Sequence, residues 1–154
     1  MNYWLFKTEP GCFSIDDLKA LPDMTEHWDG VRNYQARNFL RDQIKPGDRV
    51  LFYHSNIAEP AVVGIAEVVR GGYPDFTAFD PEAEHFDPAS TLASPVWYMV
   101  DVRFVSELKR PVTLNQIKSN PFLADMPLVK RSCLSIQPVT AEQWQIIMEM
   151  GGME

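Results

Sequence analysis

The 154 residues are 45% hydrophobic and 23% charged, the balance of a globular chain long enough to bury a core without metal or disulfide help. No stretch reaches 18 apolar residues, no charged-then-apolar leader opens the chain, and Cys12 and Cys133 form no zinc or redox spacing. The net charge of −7 argues against a long clamp on duplex DNA.

Asn2 to Phe6 reads as a buried, aromatic-rich strand ended by the Pro10-Gly11 break. Ser14-Ile-Asp-Asp17 has the form of a capping box leading into a short helix, which Pro22 stops. Asn33 is placed to cap a second helix with Ala36, Phe39, Leu40 and Ile44 as its apolar face. Lys45-Pro-Gly-Asp48 suits a type II turn. Strands follow at Arg49–Tyr53 and Ala61–Val69. From Gly71 to Pro95 the pattern dissolves into a proline-divided acidic loop, and loops of that length in compact domains are functional or disordered. Val96–Val105 returns as a strand, Thr113–Ser119 as a short helix, Leu134–Val139 as a last strand, and Thr140–Met150 as a closing amphipathic helix.

Short strands with helices between them give an α+β class: a partly open barrel or bent sheet of five to six strands, in one domain over 1–154. The charge is uneven. Residues 57–101 hold one basic and eight acidic side chains, while 1–56 and 102–154 sum to −1 and +1. Capture of one nucleotide or a short strand by stacking and edge contacts therefore stays open. The cysteine usage points to a reducing interior, cytoplasmic, or nuclear in a eukaryote.

No phosphate-binding loop, dinucleotide fingerprint, zinc-protease helix, nucleophile elbow or calcium loop occurs. His27, His54 and His85 are scattered. Tyr53 and His54 are neighbours in a strand and face opposite ways, so at most one enters any cavity, and His54 cannot readily activate Ser55. The acidic residues around His85 read as a solvated loop rather than a cation site. The sequence therefore predicts no catalytic residue, metal or cofactor.

The densest functional signal is Trp28-Asp-Gly-Val-Arg-Asn-Tyr-Gln-Ala-Arg-Asn38. A Trp, a Gly, two Arg and two Asn in eleven residues suit a pocket that stacks a flat ligand and hydrogen-bonds its edge. With Tyr3-Trp-Leu-Phe-Lys-Thr-Glu-Pro10, Gly47-Asp48, Phe52-Tyr-His-Ser-Asn56, Tyr73-Pro-Asp75 and Leu134-Ser-Ile-Gln-Pro-Val139, it resembles the EVE domain, a PUA-like module related to YTH and ASCH domains. The blocks run nearly end to end and in order. Thr8 stands where Ser is more usual, a conservative departure.

The resemblance implies a PUA-like pseudobarrel and recognition of a modified base, single-stranded or flipped out, in DNA or RNA. By analogy with YTH readers, Lys7, Thr8, Glu9 and Trp28 would line the pocket, with Tyr73 and Phe76 as candidates for a further wall. From their own chemistry, Glu9, Asn33 and Ser55 suit a base edge, and Arg32 and Arg37 suit a flanking phosphate. Trp97 divides evenly between core and pocket, whereas Trp4 and Trp144 read as core. Two rivals remain: a nucleotide- or RNA-modifying enzyme on the same barrel, using His54 or Glu9, and a methyl-lysine or small-molecule binder. The oligomeric state is not legible.

Overall fold

Side-chain alternation along β1 (Tyr3–Thr8) sends Trp4 and Phe6 to one face and Leu5 to the other. Its parallel neighbour β3 (Arg49–His54) repeats the division, with Val50 and Phe52 opposite Leu51 and Tyr53. All seven are buried, so both strands are covered on both faces and must lie inside a sheet.

In the computed structural model, which describes residues 1–130 and 133–153, that sheet has six strands. The others are β2 (Thr25–His27), β4 (Ala61–Pro74), β5 (Tyr98–Thr113) and β6 (Ile136–Val139). The order is β2-β5-β4-β3-β1-β6, and every pairing except β1 with β3 is antiparallel. The sheet is open, and short helices pack on both faces.

On the Trp4 and Phe6 face lie α1 (Ile15–Ala20) and α2 (Tyr34–Asn38), contributing Ile15, Leu18 and Ala36. The chain leaves α2 through a wide turn, closed by the Ile44 N–H donating to the Phe39 carbonyl, which buries Leu40 and Ile44 on the same face. On the Leu5 and Leu51 face lie α3 (Leu114–Ser119), α4 (Pro127–Lys130) and α5 (Ala141–Met150), contributing Ile117, Leu128, Ile147 and Met148. Capping boxes start α1, α3 and α5, from Ser14 with Asp17, Thr113 with Gln116, and Thr140 with Gln143.

The Lys45–Asp48 turn forms as expected, with Gly47 at φ +93° and the Asp48 N–H donating to the Lys45 carbonyl. Asp48 itself is a buried anchor. Its carboxylate accepts from the Trp4 indole (2.9 Å), the Asn2 N–H (2.9 Å) and the Lys45 N–H (3.0 Å), which ties the start of β1 to the turn before β3.

Two strands outrun their sequence signal. β4 continues through Gly71-Gly-Tyr-Pro74, because the ladder to β5 persists at Tyr73–Met99 and Pro74–Tyr98. β5 begins two residues later than expected and runs on to Thr113. Its Pro111 falls in the bulged segment between the Gly64–Glu107 and Val62–Val112 pairs, where a missing N–H costs no ladder bond. The three-residue β2, half-buried and polar, carries no readable alternation. Among the described residues, no helix is long and apolar enough to cross a membrane.

Candidate functional site

A cavity of about 480 Å³ opens where β1 ends. Lys7, Thr8 and Glu9 line it from that strand end, and Glu26 to Arg32 line it from β2 and the loop beyond. Glu84 and His85 reach it from the excursion between β4 and β5, and Ser135 from just before β6. β2 and β6 are opposite edges of the sheet. The sheet thus curls until both edges border one cavity.

Trp28 sits at this meeting point, though not as an exposed platform. Its N–H donates to the Val100 carbonyl at 2.7 Å. Its ring lies 5.3 Å from Phe6 and meets Phe52 and Phe13 edge-on at 5.6 and 6.1 Å. Only 8% of the residue is exposed. It is a core wedge with a margin on the cavity. Phe13, a second aromatic wall, is set by the Thr8 hydroxyl donating to its carbonyl at 2.8 Å.

The Lys7 N–H donates to the Ser135 carbonyl at 2.9 Å, joining the β1 end to the approach of β6. Burial pushes the Lys7 ammonium below its ordinary value, opposed by the charge of Cys133. Glu9 accepts from the Asn56 amide at 3.2 Å. Glu26 accepts from its neighbour His27, whose ring also rests 5.0 Å from Phe76. The lining holds four carboxylates (Glu9, Glu26, Asp29, Glu84) against two basic side chains, Lys7 and Arg32.

Arg32 is the keystone of the excursion. Its Nη1 donates to the Asp75 carboxylate (3.0 Å) and the Val31 carbonyl, and its Nη2 to the His85 carbonyl (2.6 Å). Asp75 is fully buried and also accepts from the Gly30 N–H (2.8 Å) and from the Thr77 N–H and hydroxyl. Burial alone would raise its pKa. The hydrogen bonds from Thr77, Gly30 and Arg32 outweigh that and hold the carboxyl below its ordinary value. The segment that looks patternless in sequence is therefore tethered at a buried ion pair.

Gly30 is the close-packing point of the same tether. At φ +78° it adopts a conformation that L side chains rarely take, and a Cβ there would stand 2.6 Å from His85 Cδ2. Gly30→Ala is expected to displace His85 from the rim and to lower stability by about 1–3 kcal/mol. Denaturant melts and the His85 imidazole NMR shifts check this; an unchanged His85 environment would refute it.

Of the twelve residues singled out from sequence, Lys7, Thr8, Glu9, Trp28 and Arg32 line the cavity. The others stand off it. The Asn33 side chain caps α2 by accepting from the Ala36 N–H. Arg37 donates to the Val96 carbonyl and to Asn38. Tyr53 faces the opposite core, where burial pushes its hydroxyl up to about 12. His54 faces the cavity's side of the sheet, but its Nε2 accepts the Ile15 N–H at 3.1 Å, and burial lowers its pKa against the pull of Asp16. That is a neutral structural imidazole. Ser55 pairs its N–H with the Thr8 carbonyl. Tyr73 donates to Asp101 beneath the Arg70 guanidinium. Trp97 is buried, its indole N–H on Asp87 at 2.6 Å.

Sequence reasoning missed Phe13, Glu26, Glu84, His85 and Ser135. Glu84 and His85 come more than fifty residues after Trp28, and no local pattern announces that they return to it. Among the described residues, no three His, Cys, Asp or Glu side chains converge as a metal site.

An open mixed sheet with helices on both faces, curled so that its edges share one polar and aromatic cavity, is a PUA-like fold. A family model described as the EVE domain matches residues 2–150, and the chain belongs to that family. Chicken thymocyte nuclear protein 1 is 44% identical over 165 residues, covering 96% of this chain and 68% of the relative. A hypothetical protein from Leishmania major superposes with a TM-score of 0.93 at 49% identity, covering 99% and 95% of the two chains. Human THYN1 protein, solved in complex with 5-methylcytosine containing DNA, gives 0.93 at 44% identity, covering 100% and 99%.

Proposed function

We propose that this chain is a non-catalytic reader that takes one modified nucleobase, from single-stranded or locally opened DNA or RNA, into the cavity beside Trp28. The observation that carries this reading is the cavity itself. Its volume of about 480 Å³ lies in the range of small-molecule pockets. It offers aromatic walls from Trp28 and Phe13 beside the hydrogen-bonding groups of Lys7, Glu9, Asp29 and Ser135. A planar heterocycle needs that mixture: apolar contact for its face and ring substituent, donors and acceptors for its edge. The complex of the human relative with 5-methylcytosine containing DNA makes a methylated cytosine the first ligand to test.

The lining also argues for the edge. The carboxylates of Asp29 and Glu84 accept no hydrogen bond among the described residues. A base presenting an amino group, such as cytosine or adenine, gives them two donor hydrogens on one nitrogen; thymine has a single N3–H between two carbonyls that carboxylates would repel. His54, the residue best suited to acid–base work, is committed to Ile15, which weighs against an enzyme.

The test is a titration of short oligonucleotides carrying one 5-methylcytosine against the same strands with cytosine. Burying one methyl group is worth about 0.8 kcal/mol, so about fourfold tighter binding is expected. Nucleosides recovered afterwards should be chemically unchanged. Equal affinity for the two strands, or turnover of either, would overturn the reading. The excess of carboxylates also suits an alkylated cation, so methyl-lysine peptides belong in the same titration; tight binding there would favour a peptide reader.

A further inference from the structure

The short helix α2 presents an exposed aromatic ring beside a guanidinium that forms no ion pair among the described residues. Tyr34, its first residue, is 62% exposed. The phenol ring lies over Trp97 at 5.0 Å between centroids and 31° between planes. The Arg37 guanidinium sits 5.2 Å from the same ring.

The support beneath is rigid. Trp97 is buried, its indole N–H fixed on Asp87 at 2.6 Å, and Arg32 lies 5.3 Å from its ring. Arg32 also lines the cavity, so a continuous stack runs from the cavity to Tyr34. The two centroid distances place the Tyr34 ring no more than about 10 Å from the Arg32 guanidinium.

Charge separates the three arginines. Arg32 is neutralised by Asp75, and Arg41 by Asp42. Arg37 is held by neutral acceptors alone, its Nη1 on the Val96 carbonyl and its Nε on Asn38. It forms no ion pair among the described residues. Asp42 feels its charge but is already paired with Arg41. On a chain of net charge −7, an oriented guanidinium with no ion-pair partner among the described residues is a receiver for an anion. A mere cover for Trp97 would need neither that charge nor an open phenol.

We infer that Tyr34 and Arg37 form a second contact surface for the nucleic-acid strand, Tyr34 stacking a base one or two nucleotides from the one in the cavity and Arg37 holding the intervening phosphate. This rests on the reader function proposed above and extends it from a base to a strand. The surface is indifferent to base identity, since every base offers a π-face. It adds affinity, while the cavity supplies selectivity.

The experiment compares two probes on the full chain. The nucleoside 5-methyl-2′-deoxycytidine fills the cavity alone; a single-stranded heptamer with a central 5-methylcytosine reaches both surfaces. Tyr34→Ala should weaken the heptamer by at least about fivefold, the loss expected for one stacked base, and leave the nucleoside unaffected. Tyr34→Phe should bind like wild type. Arg37→Gln should reduce the slope of log affinity against log salt for the heptamer by about 0.7, one single-strand phosphate. Melting curves confirm that each variant is folded. If the nucleoside binds and Tyr34→Ala leaves heptamer affinity unchanged, the second surface is refuted and the cavity reading stands. If neither probe binds wild type, both fall together.

Discussion

Trp28→Ala is expected to lower the unfolding free energy by about 3–5 kcal/mol, the range for removing a large aromatic from a packed core. The sequence places this residue as a cage wall, for which truncation would mainly cost ligand. The structure makes it a wedge between Phe6, Phe13 and Phe52, and three ring contacts disappear together. Loss of base binding should follow, as a consequence of the collapsed wall. Trp28→Phe separates the two effects by keeping an aromatic in the wedge with less reach toward the cavity. Urea melts alongside oligonucleotide titrations are the measurement. A well-folded Trp28→Ala protein, with a midpoint near wild type, would contradict the packing argument.

Arg32→Ala should cost about 3 kcal/mol at neutral pH, the lower end for breaking a buried ion pair. Asp75 would stay buried and charged with only Gly30 and Thr77 to satisfy it. The pH dependence gives a sharper signature. In the fold, Asp75 is held below its ordinary pKa, so the unfolded chain takes up the proton first as pH drops. The stability this contributes is complete above about pH 4 and is lost as pH falls through the lower folded value. Removing Arg32 narrows that gap. The penalty should therefore be larger at pH 7 than at pH 3, and the variant's acid limb flatter. Parallel acid limbs for wild type and variant would show that Asp75 does not depend on Arg32.

How much was readable from sequence follows the range of the interactions. The buried central strands, the capping box at Ser14, the Asn33 cap and the Lys45–Asp48 turn depend on neighbours in the chain, and each lies where the pattern puts it. β2 is three residues long, and β4 runs on through two glycines and a proline; only the β5 partner keeps those segments extended. The site divides in the same way. Lys7, Thr8 and Glu9 line the cavity because a strand ends there, and the aromatic run stopped by Pro10-Gly11 marks that end. His85 lines it because Arg32 and Gly30 hold it from across the fold, and no spacing records that. The family resemblance located the β1 end and Trp28, yet it did not reveal that the indole is mostly interior.

The placement of the acidic excursion has a consequence for how a polyanion approaches. Glu84 stands at the rim of the cavity, on an excursion between β4 and β5 that holds five carboxylates and no lysine or arginine. Under the reader function proposed above, a sugar–phosphate chain would be repelled from the Glu84 rim and drawn toward Arg37, which donates to the Val96 carbonyl at the far end of the same excursion. The acidic loop would then act as a fence, setting the side along which a strand could lie.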